Sequence, residues 1–455
     1  MIPFNLNTMA HILNAELVGE NHIILNVITD SRSIDQRERC LFIALQGKRF
    51  DAHDFAKEAI ENTATALLVN RRLSLDVPQL IVSDTYQALG KIGAWIRQQV
   101  PARIIALTGS SGKTSVKEMT ATILKECGCV LATEQNDNNY IGVSQTLLRL
   151  TQEHDFAVIE LGANNLGEIA RATDLVHPET ALVNNLSEAH IAGFGSLSNI
   201  AKAKGEIFTG LQINGRGIFN ADSHAWARWK KILIHKKVWS FSINTQKNTN
   251  FFASDIISDQ KGIHFILHSP KGTCPISLPL LGKHNAANAL AAAALAMSVG
   301  AGLKAVSSGL AKVKSISGRL FPIQLGPGQL LLDDTYNANV GSMTAGVQVL
   351  ADMPGYRVMV VGDMTELGEQ SDASHRQVGT AITLTTIDEV LSIGNRSYLI
   401  GEASGRNKHF QDKAALTAYL ALLLSQQAVI TILVKGSRCA KMEQIVHTLQ
   451  EKAVC

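Results

Sequence analysis

The chain has 455 residues, 46% of them apolar and 18% charged, with 42 Lys and Arg against 39 Asp and Glu for a formal net charge of +3. At roughly 150 residues per domain, this length suits about three domains, and the apolar fraction is that of a compact globular protein, not a disordered one. The near balance of charge argues against a nucleic-acid or membrane-surface binder. Of the six cysteines only Cys127 and Cys129 stand close together. No second pair completes a zinc site, and scattered free thiols suit a reducing compartment.

Taken in chain order, the start has neither a basic segment nor a continuous apolar run, so no signal peptide is expected and the cytoplasm is the default location. Residues 1–82 mix short strands at 26–30, 40–45 and 79–83 with a helical stretch at 54–62, as in a small α/β unit. Residues 83–313 begin a regular alternation: a buried strand at 103–108, a glycine turn, a helix at 115–127, then strands at 156–160 and 180–184. Short apolar runs alternating with helices predict a parallel sheet with crossovers. The stretch 236–280 has β-type alternation with many turn residues, predicting an antiparallel extension of that sheet. The alanine-rich run 286–303 is too weakly apolar for a bilayer span, which needs about 20 strongly apolar residues, and reads as a buried helix. Residues 314–455 carry strands at 329–333, 357–361, 389–393 and 430–434 between helical patterns, predicting a second doubly wound domain after a short polar boundary at 312–317. The fold class is therefore α/β with three domains, and a monomer is the expectation.

The strongest motif is Thr108, Gly109, Ser110, Ser111, Gly112, Lys113 and Thr114. It lies between a predicted strand and a predicted helix, the setting of a phosphate loop. Gly109 and Gly112 let the backbone turn several N–H groups toward one anion, and the helix start adds its positive end. Lys113 can reach the outer phosphates of a nucleotide and Thr114 can ligate magnesium. The glycine of the full pattern is replaced by Leu107. A phosphate loop alone names no reaction, since switches, motors, kinases and ligases share it.

The loop variant resembles that of the Mur ligases, ATP-dependent amide-forming enzymes of peptidoglycan precursor synthesis. Further segments in order strengthen the resemblance: Val158-Ile-Glu-Leu-Gly162, Asn184-Asn-Leu-Ser-Glu-Ala-His190, Ala203-Lys-Gly-Glu-Ile-Phe208, Gly282-Lys-His-Asn-Ala-Ala-Asn288 and Gly318-Arg319. The C-terminal segments Asp333-Asp-Thr-Tyr-Asn-Ala-Asn339, Val361-Gly-Asp-Met-Thr-Glu-Leu-Gly368 and Val434-Lys-Gly-Ser-Arg438 resemble the branch that adds D-alanyl-D-alanine to a UDP-N-acetylmuramoyl tripeptide. Asp30-Ser-Arg32, Gly47-Lys-Arg-Phe-Asp51 and Asn136-Asp-Asn-Asn-Tyr-Ile-Gly142 resemble its uridine-nucleotide region, with Ala52, Ser144 and Glu134-Gln135 departing from the family pattern.

The resemblance implies three roles for the domains: 1–82 for the UDP substrate, 83–313 for ATP and 314–455 for D-alanyl-D-alanine. It implies Lys113, Glu160, His190 and Lys204 as the catalytic set, with Thr114, Glu160, His190 and Lys204 around Mg2+. Lys204 would be carbamylated, Lys202 being the alternative by spacing. Asn285, Asn288, Arg319 and Asp334 would complete the nucleotide site. Substrate contacts would come from Ser31, Arg32, Arg49, Asn136, Asn138 and Asn139 on one side. On the other they would come from Asn337, Asn339, Asp363, Glu366 and Lys435, with carboxylates holding the dipeptide ammonium and Lys435 its carboxylate. Another ligase of the same superfamily, such as a different Mur step or folylpolyglutamate synthase, and a phosphate-loop switch are the competing readings.

Overall fold

The computed structural model describes residues 1–32, 39–47, 50–187, 191–223, 225–244, 248–259 and 261–454. Among them, a nine-stranded sheet forms the middle of the molecule. From one edge its strands are Gly272–Leu278, Gly262–Ser269, Phe251–Asp259, Lys237–Ser242, Arg216–Asn220, Thr180–Val183, Arg103–Thr108, Phe156–Glu160 and Val130–Ala132. Strand Arg103–Thr108 is buried on both faces, so it reads as one apolar run. Ile104 and Ala106 pack into the core on one side, with helices Thr85–Gln98, Tyr140–Leu148 and Glu168–Val176. Ile105 and Leu107 face the other side, with helices Lys113–Leu124 and His284–Ser298.

The antiparallel extension is narrower than the sequence pattern predicts. Lys237–Ser242 runs parallel to Arg216–Asn220, and Phe251–Asp259 joins it in parallel at Phe241↔Phe251. Only the two hairpins linking Phe251–Asp259, Gly262–Ser269 and Gly272–Leu278 are antiparallel. The alanine-rich segment is the helix His284–Ser298, whose Ala286, Ala289 and Ala291 to Ala294 are all fully buried. Small side chains let this helix lie close to both the sheet and the helix Lys113–Leu124.

The C-terminal sheet orders Phe321–Gly326, Gln329–Asp334, Ile430–Lys435, Tyr356–Val361, Glu389–Ile393 and Asn407–Phe410. All pairs are parallel except the edge hairpin between Phe321–Gly326 and Gln329–Asp334, which the sequence pattern does not announce. The N-terminal unit is a five-stranded sheet, Glu16–Val18, Gln79–Ile81, Ala64–Val69, Cys40–Ile43 and Asn26–Ile28. It meets the middle unit where Gln145 Nε2 donates to Thr29 Oγ1 at 2.9 Å. Among the described residues no helix is long and apolar enough to cross a membrane.

Candidate active site

Strand pairing brings the loop and its neighbours to one level. Glu160 pairs with Leu107 and Val183 with Thr108, so the chain beyond Val183 emerges beside the phosphate loop. Gly112 takes φ +72°, and a Cβ there would approach Asn288 Oδ1 to 2.6 Å and Asn184 Nδ2 to 2.8 Å, so the position needs glycine on two counts. The loop is held by side chains: Asn185 Oδ1 accepts from Ser111 N at 2.9 Å, Ser110 Oγ accepts from Ser187 N at 3.0 Å, and Asn184 Nδ2 donates to Ser111 O at 3.1 Å. Lys113 Nζ folds back to donate to Gly109 O at 3.0 Å. Burial, reinforced by the charge of Arg319 and opposed by Glu160, lowers the Lys113 ammonium from its ordinary value.

Thr114 donates to Glu160 Oε2 at 3.0 Å and accepts from Arg319 Nη2 at 2.9 Å. The other carboxylate oxygen of the buried Glu160 accepts from Asn138 Nδ2 at 2.8 Å. Arg319 comes from the C-terminal unit, and its guanidinium lies 4.2 Å from the centre of the Tyr336 ring. Asn288 Oδ1 accepts from Asn184 Nδ2 at 3.0 Å, and Asn288 Nδ2 donates to Asn285 Oδ1 at 2.9 Å. The two predicted asparagines thus share a helix face and join the loop in one amide chain. The Asn285 amide also donates to Leu281 O at 2.8 Å.

Opposite stand Asp334 and Lys435, both buried, with Oδ2 and Nζ 2.7 Å apart. Lys435 Nζ also donates to Asn337 O at 3.0 Å. Burial lifts the Asp334 carboxyl above the usual carboxylate range, against the pull of Lys435. These two walls enclose a cleft of 510 Å³ lined by residues of both units, including Ser110 to Ser115, Asn136, Asn138, Glu160, Asn285, Asn288, Arg319, Asp334, Asn337, Asn339 and Lys435. Asn339 also accepts from Ser342 N at 2.9 Å and begins the helix Val340–Ala351. Lys204 is not in the cleft lining and is buried, whereas Lys202 is exposed. Among the described residues no acceptor lies within hydrogen-bonding distance of its Nζ, and burial, then the charge of Lys113, bring its amine down to about 7.

Several predicted residues are placed elsewhere. Asp363 does not reach the cleft: its carboxylate accepts from Asn395 N at 2.9 Å, Arg396 N at 2.9 Å and Ser397 N at 2.7 Å. Glu366 is exposed, with φ +63°, outside the cleft lining. Asn139 caps the helix Tyr140–Leu148 by accepting from Gly142 N at 2.9 Å. In the N-terminal unit Ser31 O accepts from Asn62 Nδ2 at 2.8 Å, and Arg32 pairs with Asp30 at 2.8 Å on the surface. Arg49 and His190 lie outside the described residues. Sequence reasoning missed Tyr336, Asn220, Ile243 and His284, all in the cleft lining. His284 is half-buried, and desolvation together with the charge of Lys435 pushes its imidazole down to about 4.

A family profile described as the Mur ligase middle domain matches residues 107–296, and one described as the Mur ligase glutamate ligase domain matches residues 318–438. The chain belongs to the Mur ligase family. Among its Mur relatives is the UDP-N-acetylmuramoyl-tripeptide–D-alanyl-D-alanine ligase of Escherichia coli K12, 58% identical over 455 residues and 100% of both chains. The enzyme of that name from Haemophilus influenzae is 46% identical over 465 residues, again with 100% of both chains covered. A crystal structure of MurF from Acinetobacter baumannii superposes with a TM-score of 0.93 at 35% identity, covering 99% of each chain. The fold is also that of a Thermotoga maritima MurF ligase solved in complex with ADP, at a TM-score of 0.84 and 24% identity over 94% of this chain and 98% of that one.

Proposed function

We propose that this Mur ligase joins D-alanyl-D-alanine to a UDP-N-acetylmuramoyl tripeptide at the expense of ATP. The observation that carries the reading is the cleft itself. A phosphate loop with Lys113, Thr114 and Glu160 faces a second strand-end wall with Arg319, Asp334, Asn337 and Lys435. A switch needs only the first wall, whereas a ligase must hold two more substrates against the nucleotide. Full-length likeness to ligases of this name supports the choice within the family. In this reading residues 1–82 hold the UDP end, 83–313 the ATP and 314–455 the dipeptide.

A carboxylate and an amine do not condense at neutral pH. The tripeptide carboxylate oxygen attacks the γ-phosphorus of ATP, the bond to the bridging oxygen breaks, and ADP leaves an acyl phosphate. The dipeptide amine, having lost a proton, attacks the acyl carbon, and the tetrahedral intermediate expels phosphate. Lys113 and Arg319 offset the repulsion between carboxylate and phosphate. Closure of the two walls keeps water from the acyl phosphate. Thr114 Oγ1 and the Glu160 carboxylate are hard oxygen donors 3.0 Å apart, which fits magnesium. Bound there, the ion would supply further charge neutralisation.

The Lys204 amine does not suit magnesium, but a carbamate would. A buried amine brought down to about 7 is available as the free base that attacks carbon dioxide, forming an N–C bond and releasing one proton. Isotopically labelled bicarbonate should then give a carbamate carbon signal that Lys204→Ala lacks and Lys202→Ala keeps. Phosphate release settles the main reading. It should require both the UDP-muramoyl tripeptide and D-alanyl-D-alanine, and hydrolysis indifferent to either would overturn the ligase assignment. A single amino acid serving as well as the dipeptide would move it to another Mur step.

A further inference from the structure

The cleft extends past the phosphate loop along the carboxyl ends of the central strands, to residues that none of the roles above use. Asn220 ends the strand Arg216–Asn220, which lies two places from Arg103–Thr108 in the sheet. At roughly 4.8 Å per strand it stands about 10 Å from the loop strand. Ile243 follows the next strand, Lys237–Ser242. Both line the cleft, and the helix that carries Asn285 and Asn288 packs on both strands. A nucleotide with its outer phosphates on the loop has its base at about that remove.

Asn220 is buried, with 9% of its surface exposed. Its Oδ1 accepts from Asp222 N at 2.9 Å, which fixes the carboxamide and leaves the NH2. Among the described residues that NH2 has no hydrogen-bond partner. A donor held in one orientation and open to the cleft is placed for a ligand acceptor. The Asp222 side chain then ties the neighbouring strand end to the same point: Oδ1 accepts from Ser242 Oγ at 2.7 Å and Oδ2 from Ile243 N at 3.2 Å. One residue therefore sets both the amide and the apolar side chain beside it.

We infer that Asn220 donates a hydrogen bond to an acceptor nitrogen of the ATP base, that Ile243 packs against that base, and that Asp222 is the positioning residue for both. This rests on the nucleotide reading of the cleft. The test is calorimetric titration of the full chain with ADP and, separately, with inorganic tripolyphosphate, which has no base. Loss of one such hydrogen bond should weaken ADP binding by about ten- to a hundredfold in Asn220→Ala. Asn220→Asp, nearly isosteric but without the donor, should lose at least as much. Asp222→Ala should lose less. Tripolyphosphate affinity should hold in all three, and in turnover the loss should fall on KM for ATP more than on kcat. Equal weakening of tripolyphosphate, or wild-type ADP affinity in Asn220→Asp, would overturn the inference. Tight ADP binding through Asn220 in a protein whose phosphate release ignores the co-substrates would overturn the ligase reading alone. No ADP binding by the wild type would overturn both.

Discussion

At the end of strand Phe156–Glu160, the Glu160 carboxylate is held by two side chains, Thr114 and Asn138. Just past strand Tyr356–Val361, the Asp363 carboxylate is held by three backbone N–H groups of 395–397. Both are acidic groups at carboxyl ends of parallel strands, where doubly wound sheets bind ligands. Side-chain partners can rotate away and yield to a metal ion or phosphate. Backbone partners cannot, because giving them up leaves three donors unpaired. The first carboxylate is available for chemistry and the second is spent on building the turn after strand Glu389–Ile393. Gly394 shows how tightly that turn is drawn: at φ +131°, a Cβ would come within 2.5 Å of Asp363 Oδ1.

The largest expected effect is in the central wall. Lys113→Ala should cost about 3–4 kcal/mol in turnover, a factor on the order of 10² to 10³, as for loss of one preorganised electrostatic contact. Its melting temperature should hold, because the lysine caps only a carbonyl of its own loop; near-normal turnover would reduce the loop to a structural turn. The seam between the walls is tested by pH. The folded imidazole of His284 titrates near 4 against 6.5 ordinarily, so between these values the unfolded chain binds more protons. Stability should therefore be complete above 6.5 and fall as pH drops toward 4, by roughly 3 kcal/mol across the window. Urea unfolding of His284→Gln should lack that part of the slope; an unchanged slope would mean the imidazole is not held neutral.

In the C-terminal wall the expectation reverses. Asp363→Ala should cost about 2 kcal/mol in unfolding free energy, with the KM for D-alanyl-D-alanine following stability and not a lost contact. A stable variant with a much raised KM for the dipeptide would return Asp363 to the substrate site. The smallest effect belongs to Asn139→Ala, about 1 kcal/mol of stability for a lost helix cap, read by thermal melting.

The same contrast explains what was legible in the sequence. The phosphate loop, Glu160 and the pair Asn285 and Asn288 carry local signatures, so their convergence needs only the strand order to complete it. The strands of both large sheets are apolar runs and stand out for that reason. Asp363 and Asn139 look equally polar in sequence, but their partners are backbone groups that only the folded turn and the helix start put in reach. His284 and Tyr336 stand inside segments that carry the family resemblance, yet no role was read for them; Asn220 and Ile243 were invisible for the opposite reason. Nothing local distinguishes these two, and their place in the cleft follows from the sheet order. The antiparallel edge Phe321–Gly326 escaped because its register breaks between Gln324 and Gly326, which blurs alternation.

The alanine-rich helix has a mechanical consequence. Its fully buried methyls set the spacing between His284–Ser298 and the helix Lys113–Leu124, and the two helices begin beside Asn285 and at the phosphate loop. A bulkier side chain midway along, at Ala292 or Ala293, would act as a wedge between two levers whose short arms are the nucleotide-facing ends. Overpacking there costs about 1–3 kcal/mol in the core. The tilt would carry its displacement to Asn288 and Gly112, where only 2.6 Å separates a missing Cβ from an amide oxygen. The shape of the phosphate seat is thus written partly in residues that have no chemistry of their own.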